Sequence, residues 1–208
     1  RMASFGVQLS EVSRCPHCGI ANPLLSRVWQ SDKPVPRADG GPASIWGAFR
    51  CTSCGSIVSA RGVPGSYQSY AEIEEIFPKP QAAHEDIPER ARRYLQQAYE
   101  TLHAPDAAAM LAGSAVDAML KELGLKAGSL YSRIDEAVSQ NLITANMAEW
   151  AHEVRLGSNR PRHADLEEPH VTREEAQTAV EFAEALGNFV FVLKAKIDRG
   201  IERAKAGA

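Results

Sequence analysis

From Pro88 onward the apolar residues recur every three or four positions, the spacing that gathers them on one face of an α-helix. Ala91, Leu95, Ala98 and Leu102 predict a first helix, with Pro88 in the first turn, where proline is tolerated. Pro105 breaks that helix and opens a second, carrying Leu111, Ala115 and Met119 and stopping at Gly124. A third helix is expected from Ser129, burying Leu130, Ile134 and Val138. A fourth is expected from Thr144, presenting Met147, Trp150 and Val154. The fifth and longest starts at a capping box, Thr172-Arg173-Glu174-Glu175, and runs through Val180, Ala183, Leu186, Val190, Leu193 and Ile197. Phe182, Phe189 and Phe191 widen its apolar surface. Such a helix either packs on several neighbours or gives part of its face to a second subunit.

Before Pro88 the pattern differs. Short β-prone stretches lie at 24–29, 45–50 and 57–60, and a loop rich in proline and glycine fills residues 32–42. Residues 61–87, with Gly62, Pro64, Gly65, Pro78 and Pro80, read as a linker. Within it Ser69-Tyr70-Ala71-Glu72 fits a capping box, predicting a short helical turn whose solvated face carries Glu72, Glu74 and Glu75.

Cysteine changes the picture most. All four cysteines fall in two pairs of one design, Cys15-Pro16-His17-Cys18-Gly19 and Cys51-Thr52-Ser53-Cys54-Gly55. Two residues between thiols suit a tight knuckle whose backbone N–H groups point at sulfur, and the following glycine permits a φ > 0 turn. Four thiolates make a closed tetrahedral site, so Cys15, Cys18, Cys51 and Cys54 are the expected ligands of a structural Zn²⁺. Two disulfides are the alternative, but a CxxC pair bridges poorly and no export signal is recognisable. The expected fold is therefore mainly α: a zinc ribbon at 1–60, a linker at 61–87, and an all-α bundle of about five helices at 88–208.

Composition sets limits. Of 208 residues, 44% are hydrophobic and 24% charged, a balance that supports a packed core. No apolar run approaches the ~18 residues of a membrane span, so no membrane association is expected. Reduced cysteines place the chain in the cytoplasm. Residues 1–80 carry 8 Lys and Arg against 6 Asp and Glu, or +2, and residues 81–208 carry 15 against 20, or −5. Any nucleic-acid contact must therefore be local. No Gly-Lys-Ser/Thr phosphate loop and no G-x-S-x-G elbow occurs.

One local concentration of basic residues stands out: Arg155-Leu156-Gly157-Ser158-Asn159-Arg160-Pro161-Arg162-His163. With Trp150 and Val154 facing the core, His152 and Arg155 turn the other way. Arg155 and Asn159, four apart, share a face. Pro161 disfavours helical geometry at Arg160, placing His163 on the following loop. Such a cluster either caps the last carbonyls of the helix or binds a phosphate, with His163 in acid–base work. His84, His103 and His170 read as surface or capping residues.

These residues carry a resemblance. Residues 72–201, through Ile76-Phe77-Pro78, the 107–123 helix, Ser129-Leu130-Tyr131-Ser132-Arg133-Ile134 and above all Arg155…Asn159-x-x-x-His163 before a Thr-Arg-Glu-Glu helix start, resemble a bacterial family, domain of unknown function 4145. That family is related to the HEPN superfamily (higher eukaryotes and prokaryotes nucleotide-binding), which includes RNases of toxin and phage-defence systems. The resemblance implies a homodimer through the helical domain, with one cleft formed by two copies and no metal in cleavage. It implies that Arg155 holds the scissile phosphate, His163 moves the proton of the ribose 2′-OH or the leaving oxygen, and Asn159 orients one or the other, leaving a 2′,3′-cyclic phosphate. The motif departs from active members in having Ser158 before Asn159 and seven residues between Arg155 and His163.

Two classes of function follow. One is a metal-independent RNase or an RNA- or nucleotide-binding protein. The other is a non-catalytic dimeric module whose ribbon contacts nucleic acid or protein through Arg14, Arg27, Arg37, Arg50, Arg61, Trp29 and Trp46. Geometry discriminates between them: Arg155 and His163 exposed in a dimer cleft favour the first, and burial of Arg155 against Asp117 favours the second.

Overall fold

The computed structural model describes residues 6–64, 71–163 and 170–206, with the side chains of Ala71 and of residues 161–163 outside that description. The chain divides into two compact units, Arg1–Gln81 and Ala82–Ala208.

The first unit is an antiparallel sheet of four strands in sequence order, β1 Leu25–Gln30, β2 Ile45–Cys51, β3 Ile57–Pro64 and β4 Ala71–Phe77. Alternation along β2 and β3 buries Ile45, Phe49, Cys51, Val58 and Ala60 on one face, while Trp46, Ala48 and Arg50 take the other. Strand β4 lies where a linker with a helical turn was expected. Ser69 and Tyr70 lie outside the described residues, but from Ala71 the backbone is extended. Ile73 and Ile76, three apart, mimic helical spacing. A register shift at Arg61/Gly62 skips Glu74, so both isoleucines pack against the core. Glu74 and Glu75 are therefore strand residues, both within reach of Arg61, at 3.6 and 3.3 Å. At that shift a Cβ on Gly62 would stand 2.1 Å from the Glu72 carbonyl oxygen, so only glycine fits.

The second unit consists of α1 Glu89–Glu100, α2 Pro105–Glu122, α3 Leu130–Ser139, α4 Ala145–His163 and α5 Arg173–Gly187, the last running on through a π-turn at Asn188–Val192 into α6 Leu193–Ala206. The expected caps are in place. Pro105 occupies the first turn of α2, Gly124 turns the chain at φ 96°, and Ser129 caps α3. Thr172 and Glu175 close the capping box of α5. Helix α2 is central, packing on α1, α3, α4 and α5. Its inner residues Ala108, Ala109, Ala112, Ala115 and Ala118 are small, which brings the neighbouring backbones close.

Two helical expectations need correction. Pro161 does not end α4, which continues to His163. A proline in the last turn removes one N–H bond, and Arg160, paired with Glu175 at 2.6 Å, ties this end to the start of α5. The apolar stripe of the fifth helix is buried only as far as Val190 and Val192. Beyond the π-turn Leu193, Ile197 and Ile201 are exposed, and α6 buries no residue.

Candidate functional sites

The first unit builds a sulfur pocket. Each cysteine pair forms the same backbone turn: Gly19 N–H donates to the Cys15 carbonyl at 2.9 Å, and Gly55 N–H to the Cys51 carbonyl at 2.8 Å. The two glycines have φ 72° and 77°, the left-handed conformation for which glycine is suited. A second bond repeats as well, from Cys15 N–H to Ile20 and from Cys51 N–H to Ser56. The sheet brings the two knuckles together, so that the four Sγ atoms all lie within 4.8 Å of one another. Cys15 and Cys54 Sγ are 4.0 Å apart. That is twice a disulfide length and close to the ~3.8 Å edge of a tetrahedron of sulfurs 2.3 Å from a central ion. The donor set and its spacing fit a soft divalent cation. Burial raises the thiol pKa of Cys15, and that of Cys18 to about 12. Burial opposes ionisation of Cys54 too, but hydrogen bonds from Ser56 outweigh it and draw that thiol down to about 6. A central cation would let all four ionise together. His17 is not a fifth ligand: its Nε2–H donates to the Ile57 carbonyl at 2.9 Å.

The second unit builds a cleft of about 430 Å³ between α1, α2, α3 and α4. Arg155 and Asn159 line it together, as their spacing predicted. Arg155 lies over the Tyr131 ring, 5.3 Å from its centroid. Behind Tyr131 the His152 ring packs at 4.6 Å, and His152 Nε2 meets Asp135 at 3.1 Å. Asp117 also lines the cleft but is not the partner of Arg155. It binds Lys121 at 2.5 Å and Arg133, whose side chain is nearly buried and also donates to the Gly128 carbonyl. Partial burial opposes ionisation of Asp117, but those two hydrogen bonds win and hold its carboxyl below the ordinary carboxylate range. Among the described residues Arg155 has no ion pair, and its Nε is buried without a hydrogen bond. With Arg90, Lys121, Arg133 and Arg155 against Asp117, the cleft carries +3 inside an acidic domain. Its floor is tight: a Cβ on Gly113 would stand 2.5 Å from Ser158 Oγ, so glycine in α2 lets α4 come in close.

The family model described as a domain of unknown function, DUF4145, matches residues 96–204, just over half of the chain. The chain belongs to DUF4145. No curated protein and no solved structure matches it. Within the DUF4145 span lie Asp117, Tyr131, Arg133, Arg155 and Asn159, whereas the four cysteines and Arg90 precede it.

His163 falls at the C-terminal end of α4 rather than on a loop, and its side chain lies outside the described residues. It stands eight positions along the helix from Arg155, an axial rise of about 12 Å. Sequence reasoning did not find Arg90, Arg133 or Tyr131 as cleft residues. A signal existed, since Tyr131 and Arg133 sit in the first turns of α3, directly after its Ser129 cap. Of the ribbon arginines, Arg14 donates to the Gly19 carbonyl, Arg27 to Gln30, Arg37 pairs with Asp39, and Arg61 with Glu74 and Glu75. Trp46 lies against Phe77, with ring centroids 6.0 Å apart. Trp29, at 56% exposure, and Arg50 remain open on the ribbon. His170 is an exposed surface residue that meets Asp106 at 2.6 Å. Among the described residues no helix is long and apolar enough to cross a membrane.

Proposed function

We propose that this DUF4145 chain is a HEPN-like RNA-binding protein that cleaves RNA without a metal, with Cys15, Cys18, Cys51 and Cys54 holding a structural Zn²⁺ in the ribbon. The observation that carries the reading is Arg155: set over Tyr131 in a basic cleft, without a carboxylate partner among the described residues. A guanidinium left so is suited to an RNA phosphate, whose oxygens accept two parallel N–H bonds. Asn159 lines the same cleft and orients the phosphate or the ribose. His163, two turns further along α4, takes the proton of the 2′-OH. The 2′-oxygen then attacks phosphorus, the bond to the 5′-oxygen breaks, and the imidazolium of His163 returns the proton to that leaving oxygen. The products are a 2′,3′-cyclic phosphate and a 5′-hydroxyl. Arg155 stabilises the charge that develops on the phosphoryl oxygens. The zinc takes no part in this step.

A homodimer through the helical domain completes the proposal. The exposed residues Phe189, Leu193, Ile197 and Ile201 recur every four positions along the π-turn and α6 and suit a second copy of the chain. The same stripe favours the second reading, a non-catalytic dimeric module. End-labelled RNA incubated with the zinc-loaded protein in excess EDTA, beside Arg155→Ala and His163→Ala variants of equal thermal stability, separates the two. The RNase reading expects cleavage by the wild type and at least a hundredfold loss in both variants. RNA binding without cleavage would replace it with the module.

A further inference from the structure

The cleft does not end at Arg155. Past Arg90 and Tyr94, which line both, lies a second depression of about 390 Å³ on the outer face of α1, bordered also by Glu89, Arg93 and Gln97. Arg90, Arg93, Tyr94 and Gln97 stand at i, i+3, i+4 and i+7, one continuous helix face about 10 Å long. Arg90 and Arg93 are exposed and form no hydrogen bond or ion pair among the described residues. Arg92 between them is spent on the Glu85 carbonyl at 2.8 Å. A single phosphate seated on Arg155 does not also need a row of guanidinium groups along a neighbouring helix. A chain of phosphates does.

From this we infer that the face of α1 formed by Arg90, Arg93, Tyr94 and Gln97 is a second nucleotide subsite, making the ligand a single strand of RNA several nucleotides long. The inference rests on the cleft reading above and deepens it. Tyr94 is half-buried and packed on the domain core, so its ring is a fixed platform at the rim shared by the two depressions. Stacking on such a ring requires an unpaired base, which selects a single strand over a duplex. Arg90 and Arg93 take successive phosphates, and Gln97 offers both a donor and an acceptor to a base edge.

The test uses the full chain and 5′-fluorescein oligouridylates of two and eight nucleotides, with anisotropy read at two salt concentrations. Wild type should bind the octamer at least tenfold more tightly than the dinucleotide. Arg93→Glu should weaken octamer binding about five- to tenfold while leaving the dinucleotide unchanged, and Tyr94→Leu, at the rim shared with the cleft, should weaken octamer binding by a similar factor. Arg203→Glu on α6, an equal change in charge at an exposed position elsewhere in the domain, should leave both unchanged. Arg155→Ala should weaken both. Wild-type octamer affinity in Arg93→Glu and Tyr94→Leu, alongside loss in Arg155→Ala, would overturn the second subsite and leave the cleft reading standing. Octamer binding weakened as much by Arg203→Glu as by Arg93→Glu would also overturn it, by reducing the effect to net charge. No binding at either length would sink the cleft reading itself. A self-complementary duplex that binds as tightly as the octamer would contradict the single-strand selection.

Discussion

Among the described residues the ribbon buries ten hydrophobic side chains, three of them cysteines, whereas the helical domain buries thirty and no cysteine. So small a ribbon core would draw much of its stability from a cation held by the four sulfurs. The helical domain is held by packing of its thirty buried hydrophobic side chains. The same contrast runs through the arginines. In the ribbon Arg14 and Arg37 close turns, and Arg27 and Arg61 pair with neighbours on the sheet. In the helical domain Arg90 and Arg155 converge on a concave surface with no acidic partner among the described residues. Four of the ribbon arginines are thus engaged within their own unit, whereas Arg90 and Arg155 leave the helical cleft basic.

Breaking the sulfur site should have the largest effect and should be confined to one unit. Cys51→Ser, or stripping of metal with a strong chelator, removes most of the free energy that folds the ribbon, on the order of 10 kcal/mol at neutral pH. The expected result is collapse of the ribbon amide signals in an NMR spectrum, with helical circular dichroism at 222 nm nearly intact. Loss of the helical signal as well would show that the two units do not fold independently.

A middle-sized effect lies beneath the cleft. Asp117→Asn leaves the nearly buried Arg133 with only backbone carbonyl partners and should destabilise the helical domain by about 2–3 kcal/mol in a urea melt. Metal content should be unchanged. Because the folded pKa of Asp117 is lowered, its stabilisation is fully present above the unfolded value of about 3.9 and fades as pH falls through the folded value. Wild type should therefore lose stability below about pH 4 more steeply than Asp117→Asn. Equal slopes would mean that the Asp117 pairs contribute nothing.

The smallest effect is at the start of α5. Thr172→Ala removes the bond accepted from Glu175 N–H at 3.2 Å and should cost about 1 kcal/mol, with RNA affinity and metal content unchanged.

Much of this architecture was legible where one residue dictates local geometry. The Ser129 and Thr172 caps, Pro105 and Gly124 announced helix boundaries, and the spacing of the four cysteines announced a shared pocket. Strand β4 was missed because its register shift hides the alternation that marks a strand, leaving Ile73 and Ile76 at a helical interval. The reach of α4 was missed because Pro161 reads locally as a helix stop, whereas the helix runs on to His163 with Arg160 paired to Glu175 at the start of α5. At the site, Arg155 and Asn159 could be paired from their spacing on one helix. Tyr131, Arg133 and Arg90 come from other helices, and only the packing around Ala112 and Gly113 brings them to the same cleft. The fate of Asp117 could not be read either, since its choice of Arg133 over Arg155 depends on where α3 crosses α2.

The most direct test of the central claim is binding of a short single-stranded RNA to the zinc-loaded protein in EDTA, wild type against Arg155→Gln, with both shown to unfold at the same temperature. The account predicts that Arg155→Gln weakens binding by at least tenfold, the scale of one lost charge-assisted contact to phosphate. Equal affinity in the two proteins would contradict it, since the cleft would then not be where RNA is held.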